Sequence, residues 1–222
     1  MDNEVTQTGV EMEQRSSRRG LIAAGVGGAA LSLLPFLSGR ADAADTTTTA
    51  TPTTQGTTTT STPPKRPTDS DIALLAAAQK AEFTAQALYG LAINRVKGWT
   101  TEQATVMTTL SGSHQAYANA FSGMLGRVAP NVADETILGK FDSTFTGSTD
   151  DVLKAAATLE SALVATHLDI LGQLQGVNGA TQIAAIVTAE ARHVTVLRDL
   201  AGSTTLSDLL VDTEAASLLG NG

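Results

Sequence analysis

Glu190-Ala191-Arg192-His193 sets a carboxylate and an imidazole three residues apart. On a helix that spacing puts both side chains on one face, where they could hold a metal ion or exchange a proton. The chain has three histidines, His114, His167 and His193, and each falls in a stripe of otherwise apolar residues. Glu82, Glu160 and Glu190 occupy equivalent places. Cysteine is absent, which excludes a thiolate metal site and a disulfide framework. No Ser sits in a recognisable nucleophile motif and the histidines lie within helical patterns, so hydrolase chemistry has no support.

The stripes define the elements that must position these groups. Apolar residues recur at three- and four-residue spacing from Asp71 to Lys97, and Gly98 ends the run. Thr100 with Gln103 forms a capping box for a second helix reaching about Gly126. Residues 127–149 carry Pro130, Gly139 and Gly147 without a sustained period, and are expected to form a long connection. Asp150 and Asp151 open a third helix that ends around Gly172 to Gly176. Asn178-Gly179 is expected to turn the chain into a fourth helix, Ala180 to Ala201. Leu206 to Leu219 is expected to be a short amphipathic helix packed across one end. The fold class is therefore all-α: two antiparallel hairpins joined by a long crossover into a four-helix bundle, with a short C-terminal helix.

The inward stripes read Leu75, Gln79, Glu82, Gln86, Tyr89, Ile93 and Val96 on the first helix, and Met107, Leu110, His114, Tyr117, Phe121 and Met124 on the second. The third reads Leu153, Ala156, Glu160, Leu163, His167, Ile170 and Leu174; the fourth reads Ile183, Ile186, Glu190, His193, Leu197 and Leu200. Ionisable residues replace apolar ones near the middle of every stripe, and no Lys or Arg lies on any of them. Burying carboxylates costs several kcal/mol each unless they are paired, protonated or bound to a cation.

This arrangement resembles the ferritin-like superfamily, and more narrowly its secreted bacterial ferritin-like domain proteins, over about residues 70–201. The di-metal members use one Glu from each of two helices and a Glu-x-x-His from each of the other two. By that resemblance the metal ligands are Glu82, His114, Glu160, Glu190 and His193, and the spacing of Glu82 to Tyr89 is also similar. Ser111 stands where the family has a bridging Glu, so a complete di-metal oxidase site, and with it an enzyme, is not expected. Iron, manganese and zinc all suit mixed carboxylate and imidazole ligands. The alternative is a metal-free bundle in which Glu82 pairs with His114 and Glu160 with His193. His167 lies two turns beyond Glu160, ~10 Å along the axis, and is expected outside the ligand set.

Ahead of the bundle, residues 1–43 look like a twin-arginine signal. Arg18-Arg19 precedes a mildly apolar run, Leu21 to Leu37, and Ala41-Asp42-Ala43 offers a cleavage site. Leu21 and Ala23 depart from the commonest pattern. An ordinary secretory signal or a retained anchor are the alternatives, the 17-residue run being at the lower limit for spanning a bilayer. Residues 44–69 are Thr- and Pro-rich, with twelve Thr between 45 and 64, and are expected to be a disordered linker, glycosylated or plain. The bundle domain is then 70–222, in an exported protein of the cell envelope that touches the membrane only in transit. Cleavage after residue 43 leaves 10 basic and 17 acidic side chains, a net charge of −7 that repels nucleic acid.

Overall fold

The computed structural model describes residue 62 and residues 64–219. The expectations for the signal segment and for most of the linker lie outside these residues. Two long helices form the first hairpin: α1 (Asp69–Arg95) and α2 (Thr101–Leu125). Each opens on a capping box, Thr68 with Asp71 and the expected Thr100 with Gln103. Between them Val96 leaves the helix in extended conformation and Gly98 takes a φ of 91°. Such a left-handed position favours glycine.

The crossover is more ordered than the sequence suggested. It contains a short helix, α3 (Glu135–Phe141), followed by a 3₁₀ segment, Asp142–Thr146. Asp134 caps α3 by accepting hydrogen bonds from Thr136 and Ile137. Phe141 and Phe145 then bury against the bundle. Seven residues are too few to display a helical period. The start of the crossover is pinned to α1, where the buried Gln79 accepts a hydrogen bond from the Asn131 N–H. Gln79 in turn donates to the Ala118 carbonyl of α2.

The second hairpin is α4 (Thr149–Leu171) and α5 (Val177–Leu200). Ser148 and Asp151 form a further capping box that sets the start of α4. Asn178 and Gly179 do not turn the chain, contrary to expectation; they lie in the first turn of α5. The reason is a cap assembled from distant residues. Asp71 accepts hydrogen bonds from the Gln175 and Gly176 N–H groups at 2.8 and 2.9 Å. The Pro64 and Lys65 carbonyls accept from Val177 and Asn178 at 2.9 and 3.0 Å. These donors are four of the orphan N–H groups at or just before the helix start.

Gly176 is required in this cap. A Cβ there would lie 2.7 Å from the Arg66 carbonyl oxygen and 2.9 Å from Asp71 Oδ2. Gly176→Ala is expected to cost about 1–3 kcal/mol, the usual penalty for forcing atoms into a filled space. A urea melt unchanged by the substitution would contradict this account of the cap.

At the C-terminus only Leu206–Leu209 is helical (α6), shorter than the expected Leu206 to Leu219. The remainder does not cross an end of the bundle but lies along α4. There the Asp212 N–H donates to Ser161 Oγ and the Leu218 N–H donates to Thr166 Oγ1, the latter at 2.7 Å. Backbone donors committed to α4 side chains are unavailable for a helix of their own.

Helix α1 packs chiefly on α2 and α4 on α5, with α1 facing α4 and α2 facing α5. The apolar core falls into two clusters, one around Leu88, Met107, Leu153, Leu163 and Leu197, the other around Leu75, Phe121, Ile170, Ile183 and Ile186. On every long helix the Glu and His positions lie between the two. Gln86 and Ile93 are only half-buried because Ala78, Ala85 and Ala92 take the inward positions. Among the described residues no helix is long and apolar enough to cross a membrane.

Candidate metal centre

All five expected ligands reach the middle layer of the bundle, and His167 joins them. Glu82, His114, Glu160, His167 and Glu190 are fully buried, while His193 retains 6% of its surface. No Lys or Arg is buried among the described residues, so only the histidines can offset the carboxylates.

The side chains alternate in a chain of contacts. His193 Nδ1 lies 3.3 Å from Glu160 Oε2, and Glu160 Oε1 lies 3.0 Å from His114 Nε2. His114 Nδ1 lies 2.7 Å from Glu82 Oε2. Both pairings expected of a metal-free bundle are thus present. Beyond Glu82 the chain loosens: its Oε1 is 3.5 Å from His167 Nε2 without hydrogen-bond geometry. His167 Nδ1 then lies 2.9 Å from Glu190 Oε2. The Tyr89 hydroxyl donates to Glu160 Oε1 at 2.6 Å.

Two groups of three emerge, each with donor atoms within 4.8 Å of one another: His114, Glu160 and His193, and Glu82, His167 and Glu190. The antiparallel course of α4 and α5 produces the split. Moving from Glu160 to His167 along α4 runs the same way in space as moving from His193 back to Glu190 along α5. Glu190 and His193 therefore share a helix face but serve different groups. His167, expected outside the set, enters it because its partner comes from the neighbouring helix rather than from Glu160. Its stripe position was the signal, and the axial distance from Glu160 was the wrong measure.

Electrostatics separates the two groups further. Burial alone would raise the Glu160 carboxyl, but the His114 and His193 charges outweigh it and hold Glu160 below the usual carboxylate range. Burial would lower His114, yet the Glu160 charge and hydrogen bonds with Glu160 and Glu82 hold it well above the ordinary imidazole range. The result is a charge-assisted pair. Burial, then the Glu160 charge, pushes the Tyr89 phenol well up, so it stays a donor. In the other group burial lowers His167, opposed in part by Glu82, and leaves it neutral. Burial, then the charges of Glu82 and Glu160, pushes the Glu190 carboxyl well up.

Aromatic rings wall both groups. Tyr89 and Phe121 flank His114 and His167 at centroid distances of 5.3 and 6.4 Å, and Tyr117 stacks on His193 at 6.4 Å. Ser111, in place of the family's bridging carboxylate, is half-buried one turn before His114.

The donor set fits a metal ion. Glu82 Oε1, His167 Nε2 and Glu190 Oε1 are buried with no hydrogen-bond partner. Buried polar atoms are nearly always partnered, and unpartnered ones cost roughly 1–3 kcal/mol each. A cation answers all three at once.

A ferritin-like domain family model matches residues 70–203. No curated protein and no solved structure matches the chain. The match covers more than half of the sequence and ends within a few residues of the bundle at both ends. The chain belongs to the ferritin-like domain family.

Proposed function

We propose that this ferritin-like domain binds a first-row transition metal in its polar layer and works outside the cytoplasm, in the cell envelope. The observation that carries the metal reading is the trio of unpartnered, fully buried ligand atoms on Glu82, His167 and Glu190. Mixed carboxylate and imidazole donors suit iron, manganese or zinc. Glu82, Glu190 and His167 would hold an ion, with Glu160, His114 and His193 beside them. A bound iron or manganese ion would supply one-electron redox chemistry that no side chain here provides. The protein's own residues exclude bulk water from the layer, and Tyr89 holds a proton on its hydroxyl against Glu160.

Export rests on the residues before the domain: the paired arginines, the apolar run and Ala41-Asp42-Ala43. Such a route suits a protein whose cofactor is loaded before it leaves the cytoplasm. A second reading, a metal-free structural module of the envelope, draws on the closed hydrogen bonding of Glu82, His114, Glu160 and His193.

Elemental analysis of protein purified from its native envelope separates the two. Near-stoichiometric transition metal, an N-terminus at Ala44 and a melting temperature that falls on chelation are expected. Metal below about 0.1 per chain, with melting indifferent to added iron or manganese, would leave only the structural module, since a ligand of the folded state must stabilise it.

A further inference from the structure

The two ligand groups are chemically unequal, and that inequality bears on how many ions the domain takes. We propose that it holds a single divalent transition ion, bound by Glu82, His167 and Glu190, and that His114, Glu160 and His193 form a hydrogen-bonded layer beside it rather than a second ion site. The inference rests on the metal reading above and specifies it.

The atoms of the second group are already engaged. Glu160 Oε1 receives the Tyr89 hydroxyl at 2.6 Å and faces His114 Nε2 at 3.0 Å, while Oε2 faces His193 Nδ1 at 3.3 Å. An ion on Glu160 would have to displace these contacts. The group holds one carboxylate and two imidazoles, and Ser111 supplies no further carboxylate from the turn before His114.

The first group is the reverse. It has two carboxylates for one imidazole, and each of the three residues keeps one buried atom without a partner. His167 Nδ1 is engaged by Glu190 Oε2, which leaves Nε2 as the ring nitrogen for a ligand. A histidine held this way by a carboxylate has its ring orientation fixed in advance, as metal-binding histidines usually do. Glu82 is tied through its other oxygen to His114 at 2.7 Å, so its orientation is fixed too. Two carboxylates with one imidazole favour Mn²⁺, Fe²⁺, Co²⁺ or Zn²⁺ over soft ions such as Cu⁺.

Cobalt(II) titration of the chelator-stripped full chain, followed by visible absorption and metal analysis, tests this. Wild type is expected to saturate at about one Co²⁺ per chain. His167→Asn keeps a donor near the Nδ1 position but lacks Nε2. It should weaken binding by about 100-fold or more, beyond the roughly 10–100-fold effect of outer-sphere partners. His193→Asn should stay within about threefold of wild type, because only an outer-sphere contact is lost. Glu190→Gln, near-isosteric, repeats the test should His167→Asn fail to fold by circular dichroism. Two ions per chain, or equal losses in the His193 and His167 variants, would overturn the single-ion site while leaving the metal reading intact. No binding by wild type would sink both.

Discussion

Replacing Glu160 with Ala in the metal-depleted protein is expected to lower the unfolding free energy by about 3–5 kcal/mol, the cost of breaking a buried charge pair from one side. The substitution leaves the Tyr89 hydroxyl, His114 Nε2 and His193 Nδ1 without their acceptor in a layer that water does not reach. His114 loses the charge that holds it protonated, while burial still opposes that charge. Against a typical total of roughly 5–15 kcal/mol, the loss is large enough to shift a urea midpoint well outside error. Glu102→Ala, at an exposed position in the first turn of α2, serves as the control and should stay within about 0.5 kcal/mol apart from a small helix-dipole effect. A loss below about 1 kcal/mol at Glu160 would mean that its partners re-pair elsewhere.

Asp71→Ala should follow, at about 2–4 kcal/mol. Asp71 completes the capping box of α1 and accepts from Gln175 and Gly176 in the turn before α5. Hydrogen bonds to a charged group contribute about 1.5–3 kcal/mol, and a lost cap adds about 1 kcal/mol. Burial opposes ionisation of Asp71, but hydrogen bonds from the Gln175, Thr68 and Gly176 backbones more than reverse this and lower its carboxyl below the model-compound value of 3.8. The sign of the pH effect follows. A carboxyl whose folded-state value is depressed contributes stability that is fully present above its unfolded value and is lost as pH falls through the folded one. The difference between wild type and Asp71→Ala is therefore expected to be flat from pH 8 to about 5 and to shrink below about 4. A difference that grows on acidification would contradict the assignment.

Where a helix caps itself, its limits were legible in the sequence. Thr100 and Gln103 announce α2 because both partners lie within three residues. The start of α5 was not legible, since its cap comes from Asp71, more than a hundred residues earlier, and from the carbonyls of residues 64 and 65. Asn178-Gly179 carries the composition of a turn, and tertiary hydrogen bonds overrode it. The C-terminal stretch has an amphipathic pattern, yet Ser161 and Thr166 of α4 take two of its N–H groups.

The candidate site divides in the same way. Periodicity was enough to place Glu82, His114, Glu160, Glu190 and His193 in one layer, because each stripe is read along a single helix. How those residues group depends on how α4 and α5 slide past each other, which no single stripe contains. That is why His167 was set apart, and why Glu190 and His193 were expected to act together.

The attachment of residues 64–68 to the start of α5 has a mechanical consequence. Any pull delivered through the preceding segment enters the domain at Pro64 and is resisted first by the Pro64–Val177 and Lys65–Asn178 hydrogen bonds, then by Asp71. Asp71 precedes Glu82 by eleven residues of continuous helix, roughly 16 Å along the axis of α1. Tension on the chain would therefore be borne at the far end of the bundle, and the polar layer would keep its spacing while the anchor carries the load.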